Sequence, residues 1–447
     1  MKSSAKIERI CLAILVLCLP YHTFVYYLIG DRIPGFNFWK EAIIGVMFLI
    51  FLLDCFKNRK DKSKRYPMGI LEWLMVSYVV IACNYIALSD VKFQALYMAR
   101  IYIVPMLLVP VIKTMEIDKI YWRRLLSLVM MSGMIIAVWG LFQSLILGDT
   151  FLLKIGYPAN SIWGDGKLGD EFYVSKMGRF QRLVGTFAAP NTCGLYFALF
   201  LLLILFMYRY LKINKYLTGI SVALIGTALV MTFSRTSWVV ACVGILIYCF
   251  TMVNWSRNRV YFIGKCLAGI LIVLVAIDGT FFSFNITMVF VGLIVNTTNG
   301  TDTSMGGHVN SIMHSVWEVV NHPLGLGMGT NGPRALNFMD DANLTESGYF
   351  LMMYEVGIVG AVLYYAPHVY TLIHQLQAYK KDKSNLVAIM VCCMVSMLLV
   401  AFLALPYCQD FEILVYIFLI MAIGSVHELK NPESMESIDQ EEEKTSN

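Results

Sequence analysis

The chain has 447 residues, 58% hydrophobic and 15% charged, against roughly 25% charge in soluble domains. That composition excludes a soluble enzyme and predicts an integral membrane protein. The formal net charge of +5 requires no nucleic-acid partner, because the bias of Lys and Arg toward one side of a membrane accounts for it.

A bilayer crossing takes about 20 mostly apolar residues. Twelve runs approach that length: 9–29, 39–56, 68–88, 95–115, 125–147, 191–211, 217–233, 237–253, 261–283, 348–376, 385–405 and 411–427. They predict one all-α polytopic membrane domain over residues 1–427. The stretch 428–447, with its EEE run at 441–443, reads as an acidic disordered cytoplasmic tail. The first run does not read as a cleaved signal peptide: it is long, contains Pro20 and lacks a small-x-small site. Placing the N-terminus in the cytoplasm puts KNRKDKSKR (57–65), Lys119, Arg123, Arg124, Arg209, Lys212, Lys215, Arg257, Arg259, Lys380, Lys381 and Lys383 on the inside. Most of the eleven cysteines fall within apolar runs, where they act as small hydrophobes, and no spacing suggests zinc.

Two extracytoplasmic segments interrupt the rhythm, 148–190 and 284–347. Loops of that length are functional or disordered, and their aromatic and apolar content predicts order. Within the second, Val309, Ile312, Met313, Val316, Trp317 and Val320 recur at helical spacing, opposite Asn310, His314 and Glu318. The pattern predicts an amphipathic helix over 308–321 lying at the membrane interface and ending before Pro323. The same segment carries one basic residue, Arg334.

Arginines on that side are the candidate chemistry. Arg179 and Arg182 precede GTFAAPN, where Asn191 is placed to cap the sixth span, and Arg235 lies in the turn TFSRTSW between the seventh and eighth. A helix N-terminus with guanidinium groups beside it binds anions; anchoring at lipid headgroups is the simpler alternative for any one of them. Arg100, a turn inside the fourth span, is either paired with a buried carboxylate or functional. Glu346 opens the tenth span, where it either favours the helix dipole or faces a site as a general base. Glu355, deep in that span, is structural, cation-paired or part of a pathway. GLGMGTNG (325–332) lacks the preceding strand of a dinucleotide fingerprint, so its glycines predict tight irregular backbone instead. His308, His314 and His322 do not have metal-pair spacing with a further strong ligand.

Four stretches in order resemble the O-antigen polymerase and O-antigen ligase superfamily: RLVGTFAAPN (182–191), TFSRTSW (232–238), HPLGLGMG (322–329) and ESGYFLMMYEVGIVG (346–360). The resemblance covers most of residues 95–376. Ligases of the group carry His–Asn where this chain has Glu346 and Ser347, and an arginine often opens the amphipathic helix where His308 stands here. The missing histidine argues against a ligase, and glutamate at 346 is more similar to the repeat-unit polymerases of O-antigen and capsule assembly. The resemblance implies a glycosyltransferase in the bacterial cytoplasmic membrane, with both termini inside and its site on the extracytoplasmic face. It would transfer a growing glycan from undecaprenyl diphosphate to a new lipid-linked repeat unit, without metal or cofactor. Arg182, Arg235 and Glu346 would then be catalytic, with Arg179, Arg100, Asn191, His308 and Tyr349 binding diphosphate or glycan. Lipid-linked oligosaccharides and membrane lipid would be its partners, possible pathway neighbours being a chain-length regulator and a flippase. A ligase or protein glycan transferase is the nearest rival. A lipid-linked glycan flippase or transporter, of another class, is disfavoured by charge gathered at one face rather than at the midplane.

Overall fold

The computed structural model describes residues 3–61, 65–115, 118–159, 167–174, 180–211, 213–252, 303–339 and 344–426. The architecture is a helical bundle. Its helices are α1 (Ser3–Cys18), α2 (His22–Ile29), α3 (Trp39–Lys57), α4 (Ile70–Leu88), α5 (Lys92–Ile103), α6 (Leu108–Thr114), α7 (Lys119–Phe142), α8 (Gly148–Lys154), α9 (Pro190–Tyr210), α10 (Lys215–Met231), α11 (Arg235–Met252), α12 (Thr303–Asn321), α13 (Gly348–Lys381), α14 (Leu386–Ala404) and α15 (Phe411–Ile423). Among the described residues nine helical segments are long and apolar enough to cross a membrane, and α10 and α15 are shorter apolar helices. Eleven of the twelve expected runs therefore coincide with apolar helix; the run at 261–283 and the tail 428–447 lie outside the described residues.

Proline explains where the expected spans depart from single straight helices. Pro20 stands in the 3-10 turn between α1 and α2, and Pro105 in the one between α5 and α6. Its ring removes a donor and blocks the preceding turn, so the chain re-enters helix after a tighter stretch. The most apolar run, α14, is mostly buried, as is α9, whereas α3 and α4 turn most of their apolar surface outward. Helix α14 packs against α13, α11, α9 and α15. The outward residues, Leu49, Leu53, Phe56 and Trp73 among them, form the apolar surface that lipid requires.

The described part of 148–190 is ordered around a small core of its own: Leu152, Tyr157, Leu168, Phe172, Tyr173 and Val184. Two short antiparallel strands, β1 (Tyr173–Val174) and β2 (Phe180–Gln181), pair Tyr173 with Gln181 and Val174 with Phe180. Helix α12 is the expected amphipathic element, begun earlier at Thr303. It buries Ser315 and Val319 against the protein and leaves Met313, Val316, Trp317 and Val320 exposed. The face turned to the bundle mixes Ser311 and Ser315 with Ile312 and Val319, and most of the apolar stripe faces away.

The N-termini of α3, α5, α9, α11, α13 and α15 meet at one end of the bundle. At the opposite end lie Lys57 of α3, Lys113 of α6, Arg123 of α7, Lys215 of α10, and Lys380 and Lys381 of α13. There Glu72 accepts from Lys113 at 2.7 Å and Tyr66 at 2.6 Å, and Arg9 pairs with Asp118 at 2.6 Å.

Candidate functional site

Arg182 ties three segments together. Its Nε donates to the carbonyl of Thr232 at 2.8 Å, Nη1 to the carbonyl of Glu171 at 3.0 Å, and Nη2 to Asn191 Oδ1 at 2.7 Å. The backbone carries the same junction: Leu183 N–H donates to Met231 at 2.8 Å and Arg182 N–H to Phe172 at 2.9 Å. Among the described residues three of the five guanidinium N–H groups are used in this way. Burial lowers the Arg182 guanidinium to about 10; the nearby Tyr407 hydroxyl opposes that shift and the positive charge of Arg235 adds to it. Arg182 is still a cation at neutral pH.

Arg235 is the first residue of α11. The positive end of a helix dipole disfavours a cation there, and a second guanidinium close by disfavours it further. An anion between them would reverse both terms. The turn that delivers Arg235 is itself constrained, since Phe233 sits in the left-handed region at φ +49°. Left-handed backbone at a bulky residue costs of order 1–3 kcal/mol and collects at functional sites. The turn reaches α9 because Gly194 has no side chain: a Cβ there would stand 2.6 Å from Ser237 Oγ and 2.9 Å from Thr232 Oγ1.

Asn191 is not the helix cap expected from sequence. Ala189 takes that position with extended backbone and Pro190 is the first helical residue, a place that suits proline because no N–H is needed there. Asn191 is freed to hold Arg182 through its side chain. Its carbonyl accepts the Tyr407 hydroxyl at 2.9 Å. The next residue, Thr192, donates to Asp410 Oδ2 at 3.1 Å, and Asp410 Oδ1 caps α15 by accepting from Ile413 N–H at 3.2 Å.

The two glycine motifs form one structural unit. Helix α13 breaks at Val356 and Gly357, the latter at φ +68°. The loop of 323–327 lies in the break: Leu326 N–H donates to Tyr354 at 2.7 Å, Gly327 N–H to Glu355 at 3.0 Å, and Ile358 N–H to Pro323 at 3.0 Å. The Glu355 side chain is fully enclosed. It accepts from the Tyr102 hydroxyl at 2.6 Å and from Gln409 Nε2 at 3.1 Å, and the backbone amides of Gly329 and Asn331 face it. Gln409 also donates to the Asn331 carbonyl at 2.7 Å, and Asn331 exchanges hydrogen bonds with Thr345. A continuous polar chain therefore runs from Thr345 through Asn331 and Gln409 to the start of α15.

Glu346 stands at the far end of that chain, its amide donating to Ser311 Oγ of α12 at 3.3 Å. The Tyr407 hydroxyl and the charges of Arg235 and Glu171 act on Arg182. Arg100 is paired: its Nη1 lies 3.3 Å from Glu41 Oε1, and its guanidinium stacks on Tyr97 and Phe38. Tyr349 points into the bundle, donating to the Leu399 carbonyl at 2.8 Å and packing its ring at a tilt against Tyr365. Arg179 and the side chain of His308 lie outside what is described. His314 and His322 each approach Glu318 at 3.8 Å on α12. Among the described residues no group of three His, Cys, Asp or Glu is arranged to hold a metal.

Sequence reasoning missed a second polar cluster beside the first. Lys40 of α3 forms an ion pair with Glu412 of α15, and His22 Nε2 lies 3.7 Å from the same carboxylate. Arg334 donates through Nε to the Gln409 carbonyl at 3.4 Å, and Gln409 Oε1 accepts from its amide at 3.1 Å. Burial disfavours the Arg334 charge, but Glu412 and Asp410 more than offset it and its proton affinity rises. A signal existed: ionisable residues at the mouths of apolar runs, Lys40 before one and Asp410 and Glu412 at another, are expensive and therefore functional candidates.

Below this polar end, an apolar cavity runs between α1, α7, α9, α14 and α15. Tyr196 and Tyr416 line it beneath Asn191 and Asp410, and Val129 and Leu203 line it deeper in the bundle.

Residues 220–365 match the family described as O-antigen ligase. A curated relative, described as an O-antigen polymerase of Salmonella muenchen, is 23% identical over 330 residues, covering 72% of this chain and 78% of the relative. The family match includes the Arg235 turn and both glycine motifs. With its helices long and apolar enough to cross a membrane, the chain is similar to the O-antigen polymerase and ligase superfamily of bacterial surface-polysaccharide proteins.

Proposed function

We propose that the protein polymerises a surface polysaccharide, moving a growing glycan from undecaprenyl diphosphate onto a new lipid-linked repeat unit at the extracytoplasmic face. The observation that carries the reading is the placing of two cations, Arg182 and Arg235, at the N-terminal ends of α9 and α11. A leaving diphosphate gains negative charge as its bond to the anomeric carbon breaks, and preorganised donors aimed there act in the transition state. The acceptor hydroxyl attacks the anomeric carbon, its proton passes to a carboxylate, and the bonding pair leaves with the lipid diphosphate.

The lipid chain of such a substrate needs an apolar slot next to the arginines. The cavity between α1, α7, α9, α14 and α15 adjoins the polar end and suits that need. The opposite end of the bundle carries most of the Lys and Arg, which supports placing that end in the cytoplasm.

A ligase is the second reading, favoured by the description of the matching family. Glycan from a deletion strain separates the two. Single repeat units on the carrier lipid or the surface acceptor mean polymerase. Long chains held on the carrier lipid and never transferred mean ligase.

A further inference from the structure

We propose that Asp410 is the group that takes the proton from the acceptor hydroxyl, with Glu412 as its positioning partner. The inference rests on the polymerase reading above and goes beyond it, because neither carboxylate is marked by the four motifs.

Geometry favours Asp410 over Glu346. Thr192, which donates to Asp410 Oδ2 at 3.1 Å, directly follows Asn191, which holds Arg182 at 2.7 Å. Tyr407 bridges the same two centres: its hydroxyl donates to Asn191, and both Asp410 and Arg182 act on it electrostatically. The backbone amide of Glu346 donates to Ser311 on α12, at the far end of the polar chain from Asp410. The groups facing Asp410 are Glu412 on its own element, Thr192 on α9, Arg334 from the glycine loop, and Tyr407. The Asp410 and Glu412 carboxyl groups lie within hydrogen-bonding reach. Burial first, then the charge of Glu412, holds the Asp410 carboxyl well above the usual carboxylate range, while Arg334 opposes the shift. Like charges side by side raise proton affinity in this way, and a base is most effective when its pKa approaches the working pH.

The step balances. The acceptor oxygen forms its bond to the anomeric carbon as its proton moves to Asp410. The carbon–oxygen bond to the diphosphate breaks with its electron pair on the leaving group, beside Arg182 and Arg235. Protonated Asp410 then donates to Glu412, whose own charge is held by Lys40.

Asp410 also caps α15, and Asn caps as well as Asp, so Asp410→Asn keeps the cap and removes the base. The test uses membranes from a deletion strain carrying each full-length variant, supplied with lipid-linked glycan extracted from that strain. Asp410→Asn is expected to slow glycan extension by about 10²–10⁴-fold while the detergent-solubilised protein melts at the wild-type temperature. Glu412→Gln is expected to move the acid limb of the pH profile to lower pH, a change that lost packing alone would not produce. Wild-type extension by Asp410→Asn, with Arg182→Ala and Arg235→Ala inactive, overturns the Asp410 assignment alone. Extension by membranes of the deletion strain without the protein, equal to that with the wild type, overturns the polymerase reading beneath it.

Discussion

The backbone of Gly325 rests against that of Gly357, so the glycine loop fills the gap that α13 opens at its own break. A Cβ on Gly357 would stand 2.7 Å from the carbonyl of Leu324, and one on Gly325 would stand 2.9 Å from the carbonyl of Glu355. Both residues also have positive φ, +68° and +79°. Neither close approach can be relieved by rotating a side chain.

Gly357→Ala and Gly325→Ala are therefore expected to destabilise the protein by about 2–4 kcal/mol each, above the usual cost of a point mutation. Thermal unfolding in detergent checks this. Melting within a degree of wild type for both would mean that the loop and the break are not coupled as the hydrogen bonds indicate.

This pair also shows what sequence could and could not deliver. Glycine and proline at 322–329 and glycine at 357 mark irregular backbone by composition alone, and hydropathy marks the spans. That the first motif lies inside the second is a tertiary fact with no local signature. The same limit applies to Glu355, which reads as a deep acid until Tyr102 and Gln409 are seen to satisfy it. It applies most to Lys40 and Glu412, 372 residues apart in sequence. Asn191 failed for a different reason: Pro190 is suited to the first helical turn, which moves the cap back to Ala189. Arg182 and Arg235 could be singled out as candidates because a cation in a stretch poor in Lys and Arg stands out against its background.

Arg182 provides the second prediction. Its three donors reach acceptors in three directions, a geometry that a planar fork meets and an ammonium does not. Arg182→Lys should lose nearly as much glycan extension as Arg182→Ala, about 10²–10³-fold. Asn191→Ala should lose less, since it frees one nitrogen and leaves the charge. Extension by Arg182→Lys at close to the wild-type rate would mean that charge alone is required.

The ion pair of Lys40 and Glu412 gives the third. Both side chains are largely buried, so removing one partner strands the other. Lys40→Met should cost about 3–5 kcal/mol, and Lys40→Met with Glu412→Gln should recover much of that loss. A double-mutant cycle on thermal stability measures the coupling. Additive effects would show that the pair contributes no coupling to stability.

The sign of the pH dependence follows from the base assignment. A base acts only when unprotonated, so extension should fall as pH drops through the raised pKa of Asp410, around neutrality rather than in the ordinary carboxylate range. Glu346→Gln should lower yield without moving that limb, because the groups that set the Asp410 carboxyl are Glu412 and Arg334. A limb that moves in Glu346→Gln and stays in Glu412→Gln would transfer the role to Glu346.

The apolar cavity carries the last prediction. Val129 of α7 and Leu203 of α9 line it well below the polar end, where a lipid chain would pass but a glycan or diphosphate would not. Val129→Trp or Leu203→Trp adds bulk to that space and leaves every polar contact of Arg182 and Asp410 in place. With a lipid chain in the cavity, the KM for lipid-linked donor should rise several-fold while kcat holds, since binding is lost equally in ground and transition states. Each variant should keep its folded yield, because the side chain grows into open space rather than into packed core. An unchanged KM in both variants would mean that the lipid chain lies elsewhere, most simply along the exposed apolar faces of α3 and α4.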